Sequence, residues 1–271
     1  MTGLTFANVM DDSILAYVED HERFVEWITE RTGGGSDSMS LDLHKQQITY
    51  RPRLHKRDEV VAPIHLLGSV ASEPRSAMWA WANEHVKDLP VATMVQRVRG
   101  FGESNGVSEL TTAEIPVPEG DEGSDALAAM ATTMAAVSCR IIGIPTAQII
   151  TGDGVRLVML VDAAGFTPAV PSGLTFPRIL TTAISAPGWV HEHRRATQGY
   201  AQARNLPYGW EPNFSALNIG FPEGNVRIAF DQAGRVADIQ AQFGPRQPGP
   251  EHPAPPGQPH PGQSHPGHHG G

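Results

Sequence analysis

From Ile64 to Asn83 the chain alternates. Ile64, Leu66, Gly68 and Val70 fall on one side and His65, Leu67 and Ser69 on the other, the period of a strand. Ser72-Glu73-Pro74-Arg75 supplies a turn, because proline presets φ and removes a donor. Ala77 to Ala82 predicts the partner strand, with Trp79 and Trp81 on one face and Met78, Ala80 and Ala82 on the other. Gly68 in mid-strand predicts a bulge or a close backbone approach. Asn83 ends the strand, since asparagine tolerates left-handed turns and bonds nearby backbone.

Elsewhere the period is helical. Ile14, Val18, His21, Val25 and Ile28 form one stripe, with Glu19, Asp20, Glu22, Arg23 and Glu26 largely off it. Asp11, Asp12 and Ser13 offer a cap ahead of the stripe, and Gly33 to Gly35 stop it. Met39, Leu41 and Leu43, then Ile48 and Tyr50, predict a short hairpin turning at His44–Gln47, and a polar link, Arg51 to Glu59, follows. Pro90 suits the first turn of a helix faced by Met94, Val95, Val98 and Phe101. Glu119 to Gly123 reads as an exposed acidic turn. Ser124 or Asp125 caps the next helix, whose apolar face is Leu127, Met130, Met134, Val137 and Ile141. Gly152-Asp153-Gly154 between two apolar runs is a strong hairpin signal.

A proline-bearing linker then leads to helical stretches at Pro177–Ala186 and Trp189–Asn205. A three-strand meander follows at Phe214–Phe221, Val226–Asp231 and Arg235–Ala241. From Pro245 to Gly271 proline, glycine and histidine dominate, with too little apolar surface to offset ordering entropy, and a disordered tail is predicted.

The run GSVASEPRSAMWAWAN resembles a box of an uncharacterised bacterial domain family, most familiar from actinobacteria. That box is a Gly-Ser strand, a turn, then Trp-x-Trp-Ala-Asn. Gly68, Ser69, Trp79, Trp81, Ala82 and Asn83 match it, and the resemblance extends over roughly Met39 to Ala163. It implies a domain and no mechanism.

The chain has 271 residues and a net charge of −9, which permits one large or two small folded units. An acidic balance argues against nucleic acid and against anionic membrane surfaces as partners. The longest apolar run, Ala126 to Ile142, contains Arg140 and makes a poor membrane span. The N-terminus shows no basic region followed by an apolar run, so no secretory signal is expected. A single cysteine, Cys139, excludes an intrachain disulfide and fits a reducing compartment, with the cytoplasm as the default.

Catalytic motifs are missing. His191-Glu192-His193-Arg194-Arg195 places arginine where a zinc helix needs its second histidine, and a solvated helix face is expected there. Gly100-Phe101-Gly102 ends a helix instead of opening one, so it fails as a phosphate loop. His65 and His85 flank the hairpin and, with Trp79, Trp81 and Asn83, form the candidate ligand site. His252, His260, His265, His268 and His269 in the tail are candidate ligands for weak zinc or nickel binding.

The predicted fold class is α+β: an antiparallel sheet of hairpins with helices packed on it, a helix-plus-meander unit, and the tail. The predicted units are 1–165, 166–244 and 245–271. The expected core includes Leu66, Val70, Trp79, Trp81, Val98, Met134, Val158 and Leu160. The expected function is a non-enzymatic module that binds a small molecule, a protein partner or a second copy of itself. A hydrolase without a recognisable motif is the alternative.

Overall fold

A computed structural model describes residues 3–33, 39–52, 59–119 and 125–244. The predicted tail with its five histidines, most of the Arg51–Glu59 link, and Ser124 with most of the acidic turn before it lie outside those residues. Among the described residues the fold is α+β, and every strand pairing is antiparallel.

The first helix, α1 (Phe6–Thr32), begins earlier than its stripe suggests. Thr5 caps it: the Asn8 N–H donates to the Thr5 hydroxyl, and the Thr5 N–H donates to the Asn8 side chain. Phe6, Val9 and Met10 carry the buried face forward from that cap, so Asp11, Asp12 and Ser13 lie inside the helix and do not start it. Glu19 and Asp20, expected off the stripe, are buried, while Val25 is exposed. The stripe is displaced because a second layer covers the face that looks polar in the sequence.

Seven strands form the first sheet: β1 (Met39–Asp42), β2 (Gln47–Tyr50), β3 (Val60–Ala71), β4 (Ser76–Trp79), β5 (Glu114–Pro116), β6 (Ala147–Gly152) and β7 (Val155–Val161). β3 is the organising strand. It pairs with β2 along its start, with β4 along its end, and with β7 from Ile64 onward. A bulge between Leu66 and Gly68 interrupts the β7 ladder, as the mid-strand glycine predicts. At Gly68 a Cβ would collide with the Met78 carbonyl oxygen and the Met134 methyl, so only glycine lets β4 and the helix behind it approach this closely.

Between β4 and β5 lie a 3-10 turn (Pro90–Ala92) and α2 (Gln96–Asn105), so Pro90 opens the turn and not the helix. Between β5 and β6 lies α3 (Ala126–Ile142), capped by Asp125 and packed on β3, β6 and β7. Met134 on α3 is fully buried, and burying such a side chain stabilises by about 1.5–3 kcal/mol.

The stretch read in the sequence as a second unit contains α4 (Phe176–Ser185), α5 (His193–Ala203) and a four-stranded meander, β8 (Tyr208–Trp210), β9 (Ala216–Phe221), β10 (Gly224–Phe230) and β11 (Val236–Phe243). β8, three residues with a glycine at its centre, is too short to register as a strand in the sequence. One hydrophobic cluster runs from Phe6 through both units to Phe230. α1 is the element they share, since it packs on α3 on one side and on α4 and α5 on the other. At Gly199 a Cβ would sit 2.7 Å from the Asp12 Cα, so α5 crosses α1 almost backbone to backbone.

The expected core is buried throughout with one exception. Trp81 is only partly buried, because β4 stops at Trp79 and the chain turns through Ala80–Asn83. The two tryptophans therefore do not share a strand face.

Candidate functional site

α5 is positioned by acids on α1. The Asp11 carboxylate accepts the N–H of His191 at 2.8 Å and that of Glu192 at 3.0 Å, holding the two residues that lead into α5. Asp12 pairs with Arg195 at 2.6 Å, and Arg195 also donates to the Asn8 carbonyl. Ala196, Tyr200 and Ala201 turn inward, leaving Arg194, Arg195, Gln198 and Gln202 along a cleft. The predicted solvated face of His191 and His193 is corrected here. His191 precedes the helix, and the His193 Nδ1 accepts the Val236 N–H at 3.1 Å.

The cleft encloses about 550 Å³ and is lined by Asp12, Glu192, the four α5 side chains above, Gly199, Trp210 and Phe214. Its far wall is aromatic. The Trp210 indole N–H donates to the Gln198 side chain at 3.0 Å, and its ring meets Phe214 edge-on at 5.4 Å and Phe230 at 5.6 Å. Gln202 donates to the Tyr208 hydroxyl at 3.0 Å. The Arg194 guanidinium lies 5.7 Å from the Phe230 ring centre, and its buried Nε has no hydrogen-bond partner.

The rim is held in an uncommon conformation. Asn213 and Phe214 both have left-handed backbone, with φ of 58° and 55°. Phe214 is 59% exposed. The loop that presents it is pinned by Glu211, which takes a bidentate contact from Arg227 at 2.7 and 2.9 Å and a hydrogen bond from Asn218. Those contacts hold the Glu211 carboxyl down near 2. The cleft therefore offers donors, acceptors and a prepositioned apolar edge.

Two further clusters lie along α1. Glu19 and Asp20 are buried against Arg204, the residue that follows α5, each with an oxygen 2.8 Å from its Nη2. The Tyr200 hydroxyl donates to Glu19, and the Ala169 N–H to Asp20. Burial pushes both carboxyls up, and Arg204 pulls them part of the way back. A second cavity, of about 350 Å³, is mainly apolar, lined among others by Phe6, Met10, Val117, Met130 and Thr133, with His191 at its edge. The His191 Nδ1 lies 3.6 Å from the buried Asp11 carboxylate, which raises the imidazole pKa.

The residues singled out in the sequence are placed as follows. Trp79 is sealed in the core, its indole N–H donating to the Glu109 carbonyl at 2.9 Å. Trp81 lies under the Arg99 guanidinium at 4.7 Å. The Asn83 side chain accepts the His85 N–H at 3.0 Å, and His85 is exposed. His65 sits half-buried on β3 opposite Leu160; burial lowers its pKa and Asp162 opposes that. Cys139 is a buried thiol that burial pushes upward. Among the described residues no group of three or more His, Cys, Asp or Glu could hold a metal ion. The cleft residues were missed because they are spread from Asp12 to Phe214 and share no motif. Their one local signal is Glu211-Pro212-Asn213, a proline-asparagine turn beside two aromatic residues.

No helix among the described residues is long and apolar enough to cross a membrane. No curated protein and no solved structure matches the chain. A family model does match residues 7–164, so it takes in α1 and the whole first sheet and extends beyond the stretch whose resemblance shows in the sequence. By that match the chain belongs to a family of unknown function, DUF6882.

Proposed function

We propose that this protein is a non-enzymatic binding module that takes its ligand in the cleft between α5 and the Tyr208–Phe214 segment. The observation that carries this reading is Phe214. A left-handed phenylalanine costs about 1–2 kcal/mol, and intramolecular packing that leaves the ring mostly exposed recovers only part of it. A ligand covering the ring against Trp210 recovers the rest. The test is a thermal-shift screen against metabolites, peptides and metals, because a ligand that binds only the native state raises Tm. Hits should weaken in Phe214→Ala while the Tm of the free protein changes little. Hits that persist unchanged in that variant sink the assignment to this cleft.

The hydrolase alternative draws on the Asp11–His191 pair beside the apolar cavity, the arrangement of an oriented general base. The hydroxyl in the cavity lining, that of Thr133, donates to the Ala129 carbonyl. Esterase activity abolished by His191→Gln would favour this alternative. A third reading assigns weak zinc or nickel binding to His252, His260, His265, His268 and His269. Retention on a nickel column should then vanish when residues 245–271 are deleted, and fade as pH falls through about 6.5. The one cysteine and the acidic balance suit a cytoplasmic protein.

A further inference from the structure

The segment beyond β11 carries a pattern that the histidines obscure. Pro250, Pro253, Pro256 and Pro259 recur at every third position. Polyproline II has three residues per turn, so that spacing aligns all four rings along one edge. It also leaves the backbone carbonyls free to accept hydrogen bonds. Surfaces that read such a helix present aromatic ridges for the rings and side-chain donors for the carbonyls.

The cleft has those parts. Trp210 and Phe214, 59% exposed, line it edge to face, and Tyr208, 40% exposed, precedes Trp210 by two positions on β8 and accepts from Gln202 of the cleft wall. Gln198 and Gln202 each keep amide hydrogens beyond the bonds named above. Glu192 lies on the cleft wall, where it complements Arg246 ahead of the prolines, and Arg194 and Arg195 complement Glu251 among them.

Resting on the cleft reading, we propose that the occupant is this chain's own Pro250–Pro259 segment, bound as a polyproline II helix in the same molecule. The geometry permits it. β11 runs back to Val236, whose N–H donates to His193 at the start of α5. At roughly 3.3 Å per residue the strand returns the line of approach over about 25 Å. From Gly244 to Pro256 the segment spans up to about 37 Å at 3.1 Å per residue. Tethering sets an effective concentration on the order of millimolar, enough to fill a weak site.

The test follows the Trp210 indole N–H by ¹⁵N NMR, identified with Trp210→Phe. The full chain is compared with a chain ending at Gly244 and with a full chain carrying Pro253→Gly and Pro256→Gly. Among the described residues the hydrophobic cluster lies wholly before Gly244. The expected result is a displaced Trp210 resonance in both altered chains. A peptide of residues 245–260 should restore the full-chain position in the truncated protein, and should lose that effect in its Phe214→Ala form. A Trp210 resonance that is identical in all three chains and unmoved by peptide overturns the inference. If a ligand from the thermal screen still moves that resonance, the cleft reading stands alone; if nothing moves it, both fall. A shift that grows with protein concentration means the tail comes from a second copy, which overturns the intramolecular form.

Discussion

Asp11 and His191 lie 180 positions apart in the chain, and the Asp11 carboxylate accepts the His191 backbone N–H at 2.8 Å. The same carboxylate takes the Glu192 N–H and lies 3.6 Å from the His191 ring. One buried acid on α1 thus holds the two residues that lead into α5.

Replacing Asp11 should be costly for that reason. Asp11→Ala leaves two N–H groups without their acceptor at a part-buried junction, a loss of about 1–2 kcal/mol. Urea unfolding followed by tryptophan fluorescence measures it. Asp11→Asn keeps an acceptor oxygen and should lose less than half as much. Equal losses in the two variants would mean that charge, and not the hydrogen bonds, is what matters here.

The histidines should titrate in opposite directions. Asp11 hydrogen-bonds His191 and raises its pKa above the ordinary value of about 6.5. The stability this contributes is present below that value and is lost as pH rises through the folded pKa. Burial lowers His193, with Asp11 and Asp231 opposing and Arg235 assisting. Its neutral Nδ1 is the acceptor for Val236, so its contribution is present above 6.5 and is lost as pH falls through the folded value. Proton NMR titration should place His191 above 6.5 and His193 below it. Asp11→Asn should lower both.

Arg204 neutralises two buried carboxylates. Arg204→Ala leaves Glu19 and Asp20 covered without a counter-charge, and breaking a buried pair in this way costs about 3–5 kcal/mol. The loss should shrink at acid pH, where both carboxyls, already pushed up by burial, take protons. Adding Glu19→Gln and Asp20→Asn to Arg204→Met should recover most of the stability at neutral pH. Calorimetric melting of the variants distinguishes these outcomes.

Two glycines should respond with opposite sign. Gly68→Ala drives a methyl into the Met78 carbonyl and Met134, and should destabilise by about 1–3 kcal/mol. Gly100→Ala, inside α2 with nothing within 4 Å of the added carbon, should stabilise by about 0.4–1 kcal/mol. A shared direction for the two would mean that helix and strand propensity, and not the contact at Gly68, controls the result.

Much of the local structure is legible in the residues themselves. The alternation from Ile64 to Val70, the Gly152-Asp153-Gly154 turn and the face of Met130, Met134 and Val137 each name an element, because burial of one face leaves a period of two or of 3.6. Gly68 announces its bulge for a similar reason: only a close approach explains a glycine there. Periodicity fails where a second layer covers an element. Glu19 and Asp20 look like solvent-facing residues of α1 until Arg204 arrives from the end of α5, and Asp11 looks like the cap of its own helix while it holds the residues that lead into another. Trp81 keeps the strand period after the strand has turned away. The cleft is wholly a product of docking. Asp12, Arg195, Gln198, Trp210 and Phe214 meet only because Gly199 lets α5 lie against α1 and Glu211 pins the loop beyond β8. Spacing along a chain encodes which face of one element is buried. Which polar groups share a site depends on how distant elements pack, and that is decided by contacts between residues with no fixed separation in sequence.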